Sequence, residues 1–476
     1  MINFLKKMQK KLLKYSNFVS LFIYIVPTFL AALLSIFAAS VYLRYLDSDL
    51  FANFLIQHLI ITFGTAVLSL HIGKITMISI KNFNQNQKKE VIFSSYILNI
   101  ILGLILSYFF YLFLFNFVGQ INLTNISIAL FFGTFFSCIF VNLEDIAKGY
   151  SMNKSASFFN FFFMNGSITV PALLLFFYNN ELIQLNLFNI SVFIKVIFTI
   201  IFIIFLYLQK KIKIKKIKFK IFLKNLKQNL YLTGEGIISQ IYFTLDKYII
   251  KIQFNSLDLI IYSLSQQLSS KLGILSGACT SVMFGRLLDE NKFKKEILSA
   301  NLYFCLYLCS FGYLMISPIF ENLLIIFFGN KYNSDIVPIF KLFILINIFY
   351  VLRECLTSFL QVELKIKFEL IYNVIILPFF LAAIYFGINY NEILIFVIII
   401  LIKELIVLTS KINLAKYNII NYKIFYIQIL ILFSTILLDV FLILPKIKLI
   451  LIALFIIMTY KNFNFFLIKN YFFKKT

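Results

Sequence analysis

What most constrains this chain is a succession of apolar runs, most of about twenty residues or more, along its whole length. They fall at about 18–41, 51–80, 91–118, 125–142, 158–178 and 187–208, then at about 230–253, 258–285, 297–320, 336–362, 368–388, 390–410, 422–444 and 447–465. About 20 apolar residues in a helix cross the hydrocarbon core of a bilayer. The predicted fold is therefore all-α: a polytopic membrane protein of about 14 transmembrane helices, within a range of about 12–14. At 61% hydrophobic residues the chain is well above a soluble domain, and no stretch between the runs is long enough to bury a core of its own.

The basic residues carry topology. The formal charge is +24, from 44 Lys and Arg against 20 Asp and Glu. Basic loops on the cytoplasmic side explain such an excess without a nucleic-acid partner. A block of lysines at 210–227 splits the runs into six and eight. With the N-terminus inside, the outer loops hold only Arg44, Lys251, Lys331, Lys446 and Lys448, which predicts both termini in the cytoplasm. The expected organisation is an N-terminal six-helix lobe (1–208), a basic cytoplasmic linker (209–229), a C-terminal six-helix lobe (230–412), and two additional helices with a basic tail (413–476).

An internal echo supports two lobes related by a pseudo-two-fold axis. Asp49, Leu50, Leu55, Gln57 and Leu59 fall on Asp258, Leu259, Leu264, Gln266 and Leu268 at one fixed offset. A looser echo places Pro171 and Pro378 in corresponding runs, each after a basic turn.

Polar residues inside the runs sort by helical spacing. Glu235, Ser239, Tyr242 and Asp246 share one face, beside Lys247. Ser263, Gln266, Gln267, Ser270 and Lys271 form a patch at mid-membrane. Asn347, Tyr350, Glu354, Thr357 and Gln361 make a stripe flanked by Arg353, and His58, Thr62, Thr65, Ser69 and Thr76 make another. Such stripes line a wet interior or glue helices together. A cation at a helix centre costs about 2.5–3.5 kcal/mol on insertion scales, so Lys271 and Arg353 need either a cavity role or an internal ion pair. Arg353 and Glu354 are adjacent and diverge by about 100°, which argues against their pairing directly. Lys403 and Glu404 lie nearer the cytoplasmic end, where snorkelling is the expectation. Arg44, Lys247 and Lys341 are placed at the outer surface as a vestibule rim. Glu235, Asp246 and Glu354 are candidate ion-coupling carboxylates.

The cysteines and histidines offer no metal-ligand spacing. Cys305 and Cys309 lack histidine neighbours, and His58 and His71 sit on roughly opposite faces. There is no Walker motif and no nucleophile–base arrangement, so no catalytic residues, cofactor or metal are assigned.

Two segments, 245–268 and 326–343, carry a family likeness. Asp246-Lys247 late in the first run after the linker, Tyr262-Ser263 at the start of the next, and Phe328-Gly329 followed by Tyr332 match motifs of one family. So does VYLRYLDSDLFANF, with Arg44 at a usual basic position. The chain resembles the polysaccharide and O-antigen (oligosaccharide) flippases of the multidrug/oligosaccharidyl-lipid/polysaccharide exporter superfamily. It departs from them at Ile260-Ile261, where a Gly is usual, and at Phe284-Gly285, where Phe-Pro is usual.

The resemblance implies a non-enzymatic, alternating-access carrier in the bacterial inner (plasma) membrane. Its substrate would be an undecaprenyl-diphosphate-linked glycan: an O-antigen, capsule or other surface-polysaccharide repeat unit. Membrane lipids, a polysaccharide polymerase and chain-length machinery are the implied partners, with no nucleic acid. The substrate-binding residues would be Lys271, Arg353, Arg44, Lys247, Gln266, Gln267, Ser270 and Tyr350. A drug or cation antiporter and a lipid II flippase of the same superfamily stay open as alternatives. A polytopic glycan polymerase is a further one, but the outer loops are too short for a catalytic domain.

Overall fold

A computed structural model describes residues 16–73, 76, 85–117, 128–150, 152–209, 219–271, 294–363, 366–389 and 392–440. Among these residues the chain is helical throughout and has no strand. The helices are α1 (Ser16–Tyr45), α2 (Ser48–Leu68), α3 (Gln85–Phe117), α4 (Ile128–Gly149), α5 (Asn153–Phe161), α6 (Ser167–Tyr178), α7 (Glu181–Leu208), α8 (Phe219–Gln253) and α9 (Ser256–Ser270), then α10 (Lys294–Ile316), α11 (Phe320–Phe328), α12 (Ile336–Val362), α13 (Ile366–Asn389), α14 (Ile393–Ala415) and α15 (Tyr422–Val440). Among the described residues, ten helical segments are long and apolar enough to cross a membrane, so the chain is a multi-pass membrane protein. The run at 447–465, the second half of the run at 258–285 and residues 210–218 of the basic linker lie outside the described residues.

Contacts divide the chain into two units, residues 30–260 and residues 261–476 together with 1–29. In the first, α4 packs against α7, α3 and α2, α6 packs against α7, and α8 packs against α2. In the second, α12 is the hub, packed against α14, α10 and α15, and α13 lies on α14.

The α5–α6–α7 hairpin shows how sequence sets this packing. A π-turn at Phe162–Gly166 joins α5 to α6. A π-turn shifts the register of the helix and with it the face that each side chain presents. Phe163 thereby stacks on Phe140 of α4, with ring centroids 3.9 Å apart, and Phe162 stacks on Phe198 of α7 at 5.3 Å. Asn179 turns the chain at φ 22°, and the Asn180 side chain caps α7 by accepting from the Leu182 amide at 2.9 Å.

Sequence periodicity predicts an unbroken span over 51–80. The structure corrects this: α2 ends at Leu68, and Leu70 and His71 have φ of 48° and 46°. Non-glycine residues rarely adopt this left-handed conformation, and the break strips backbone groups of their helical partners. One side chain takes them up. Asn142 of α4 accepts from the Gly73 amide at 2.6 Å and donates to the Ser69 carbonyl at 3.3 Å. Its amide also donates to Asn99 of α3 at 2.6 Å, so three helices meet at one buried residue.

Glycine is required at 73 for space. A Cβ there would stand 2.5 Å from the Asn142 backbone oxygen, which cannot swing aside. Asn142→Ala removes the partners of buried backbone groups, at about 1–3 kcal/mol for each group left unsatisfied. Both Asn142→Ala and Gly73→Ala are expected to melt well below the parent chain in a thermal-unfolding assay in detergent. A parent-like melting temperature for both would show that the break is not held in this way.

Candidate functional site

In the second unit, the facing surfaces of α12 and α14 hold a buried network of charges. Arg353 on α12 directs one guanidinium nitrogen at both oxygens of Glu404 on α14, at 3.0 and 2.9 Å. Lys403 approaches the same carboxylate at 2.6 Å and lies over the Phe380 ring at 5.3 Å. One turn along α12, Thr357 accepts from Lys411 at 2.5 Å. Lys411 is seven residues after Glu404 and therefore on the same face of α14. The Arg353 guanidinium also sits 4.6 Å from the centre of the Tyr350 ring, and Glu354 comes within 3.6 Å of it.

Two expectations change here. Arg353 and Glu354 do approach one another, because a guanidinium is long enough to reach across the angle between neighbouring Cβ atoms. Lys403 and Glu404 do not snorkel: each is 5% exposed and held inside the network. The internal ion pair weighed for Arg353 is present, with Glu404 as its partner. Lys341 is likewise paired, at 3.4 Å from Asp439 of α15, whose carboxylate also takes the Tyr313 hydroxyl.

Lys271 differs. It lies at the end of the described part of α9, half-buried, and has no hydrogen-bond or ion-pair partner among the described residues. Around it, Gln267 is exposed and Ser270, half-buried, donates to the Gln267 carbonyl at 2.6 Å. Gln266 is buried, as is Ser269, which accepts from Asn347 of α12 at 2.6 Å. Buried Ser263 and Ser265 have hydroxyls without a partner, so this helix offers more donors than it uses among the described residues.

In the first unit, Asp246 and Lys247 are both buried on α8, and the Lys247 amide donates to the Asp246 carboxylate at 2.8 Å. Lys247 is thus no simple surface rim. Glu235, on the same helix, is half-buried. Arg44 is exposed at the end of α1. At the α8–α9 turn, Lys251 donates to Ser256 at 2.9 Å, and Ser256 in turn bonds Asp49. The echoed turn at Asp49 thus meets the α8–α9 turn directly.

Sequence reasoning missed two residues. Lys411 enters the α12–α14 network from the last turns of α14. Lys195 stands at the middle of α7, 5% exposed, in a run that was read only as apolar. A lone cation inside such a run is itself a signal, because burying it is costly.

No family model matches the chain, and no curated protein matches it. Solved structures do. A lipid II flippase, MurJ, in an inward closed conformation aligns with a TM-score of 0.65 at 16% identity, covering 94% of this chain and 98% of that one. A multidrug-resistance MATE-family transporter of the MOP superfamily, in an outward-facing conformation, aligns with a TM-score of 0.60 at 14% identity, covering 85% and 96%. A MATE structure in the straight conformation gives 0.64 at 12% identity, covering 86% and 97%. The chain therefore has the fold that these membrane transporters share.

Removing one partner of a buried, bonded ion pair costs about 3–5 kcal/mol, because the other charge is left uncompensated. Glu404→Gln is expected to lower thermal stability steeply, and Arg353→Met/Glu404→Met to recover much of the loss. Equal stability of the single and double variants would show that the two charges are not coupled.

Proposed function

We propose that this chain is a flippase that moves an isoprenoid-diphosphate-linked oligosaccharide across the bacterial inner membrane by alternating access. The observation that carries the reading is the likeness of 94% of the chain to a lipid II flippase, with a half-buried lysine at the α9 patch. A lipid diphosphate headgroup is anionic and rich in hydroxyls. Taking it through hydrocarbon requires fixed cations and polar groups to replace its hydration.

Lys271 is the leading substrate-binding cation, because it faces no internal carboxylate among the described residues. Gln267 and Ser270 supply nearby amide and hydroxyl groups, and Gln266 lies on the same patch. Arg44 and Lys247 are proposed as further cationic contacts in the first unit. Arg353 and Tyr350 act through the α12–α14 network, in which Glu404 sets the position of Arg353. Glu235, Asp246 and Glu354 remain the proposed ion-coupling carboxylates.

A second reading, a lipid II flippase, uses the same chemistry on a different glycan. The structural likeness to such a protein favours keeping it.

Purified protein in proteoliposomes should move a lipid-diphosphate-linked oligosaccharide between leaflets. Loss of a charge-assisted contact is worth about 1.5–3 kcal/mol, so Lys271→Ala is expected to slow that movement about tenfold or more at normal protein levels. Movement of lipid II alone would select the second reading. Transport of organic cations without any lipid movement would overturn both.

A further inference from the structure

Lys195 stands near the centre of the 28-residue helix α7, about 20 Å from either end. A lysine stem cannot carry its ammonium to a membrane surface over that distance. Its Nζ has no ion pair or hydrogen bond among the described residues, and it lies over the face of Phe163, 5.6 Å from the ring centre. Phe163 belongs to the π-turn, a helix irregularity common at functional sites.

Hydroxyl and imidazole groups lie on the helix of Lys195 and on the helices packed against it. Ser191 is one turn away on the same face of α7, fully buried, and its hydroxyl is 3.1 Å from His58 Nε2 of α2. His58 is near enough to Lys195 to interact with it electrostatically. The antiparallel α5–α7 pairing sets Phe162 beside Phe198 and Gly166 beside Ile194. The same register brings Thr169 of α6 level with Ser191. Thr169 is 4% exposed and its hydroxyl has no partner. On α4, Ser137 lies one turn beyond Gly133, which abuts Val192, and its buried hydroxyl is also unpartnered.

Among the described residues, no carboxylate stands at this level on the helices packed around α7. Glu181 is about 21 Å along α7 from Lys195, and Asp49 about 13 Å along α2 from His58. On α4, the Phe136 carbonyl meets Thr199 of α7, which leaves Glu144 and Asp145 some 12 Å or more farther along. Asp246 lies on α8, which packs on α2, and forms no ion pair with Lys195.

An ammonium, an imidazole and three hydroxyls without a carboxylate form a donor-rich setting, which suits a negative charge. The geometry points to a binding site for a small inorganic anion of the halide class inside the first unit, built on Lys195 with His58, Ser191, Thr169 and Ser137. The bound anion balances a mid-membrane cation that the described residues leave unpaired. The site stands apart from the proposed lipid substrate, so it holds whichever lipid is moved.

The test uses the full chain in nanodiscs, with chloride as the probe and gluconate replacing it at constant ionic strength. Chloride is expected to raise the melting temperature and to broaden the ³⁵Cl NMR line in a saturable way. Lys195→Met should abolish both effects. Ser191→Ala, a milder change, should weaken chloride binding about tenfold, as loss of one hydrogen bond to a charged group would. If Lys195→Met does not fold, the Ser191→Ala titration and the parent ³⁵Cl line decide. Equal melting and line width in chloride and gluconate overturn the site. So does a melting temperature that follows pH but not chloride, since that describes a proton site instead.

Discussion

Hydrocarbon offers no hydrogen-bond partner, and most of what is particular to this structure follows from that constraint. A backbone group released inside a membrane must be taken up by protein, or it costs several kcal/mol. Where α2 breaks at Leu68, Asn142 supplies both an acceptor for the Gly73 amide and a donor for the Ser69 carbonyl. The same side chain reaches Asn99, so the break is fixed to α3 as well as α4. An apolar residue at 142 would fit the run by hydropathy, but it would take from the Gly73 amide its Asn142 acceptor and leave the Ser69 carbonyl with the Ile72 amide alone among the described residues.

Charges answer to the same constraint in two ways. Along α12 and α14, Arg353 and Lys403 meet Glu404 and Glu354 at close range, and Lys411 donates to Thr357 on the same face. Interior pairing of this kind is costly to break and adds little net stability over a hydrophobic core, which is why it serves better to fix geometry than to strengthen a fold. In the first unit, Lys195 has no such counter-charge among the described residues and lies over a ring face. Arg353 and Lys403 are thus held by carboxylates of their own unit, whereas Lys271 and Lys195 have no carboxylate partner among the described residues.

The spans were legible in the sequence because a run of apolar residues is a one-dimensional signal. The ten segments found in the structure fall where the runs place them. The α2 break was not legible: Leu70 and His71 are neither Gly nor Pro, and the side chain that bonds the backbone on either side of them, Asn142, is some seventy residues away. Pairing between helices was equally hidden. Arg353 and Glu404 are 51 residues apart, and spacing within one helix says nothing about which face meets which. Only the packing of α12 on α14 turns Glu404 from a surface carboxylate into the anchor of a network. Lys195 was legible in principle, since a lone lysine interrupts the run at 187–208, but hydropathy averaged over a window hides a single charge among isoleucines and phenylalanines.

The two kinds of cation bear differently on an anionic lipid headgroup. A phosphate approaching Arg353 competes with Glu404, which is already held at 2.9–3.0 Å and desolvated. Displacing it would expose a second buried negative charge beside the first, and like charges at such range repel strongly. Lys271 has no described carboxylate to displace, and its neighbours Gln267 and Ser270 keep polar groups near water. In the flippase proposed above, a headgroup would therefore gain the full charge-assisted interaction at Lys271, and only the difference between two carboxylate-like partners at Arg353. That asymmetry separates a residue suited to hold a transient anion from one suited to hold two helices together, and under the proposed function it would give the two cations different tasks although the sequence presents them alike.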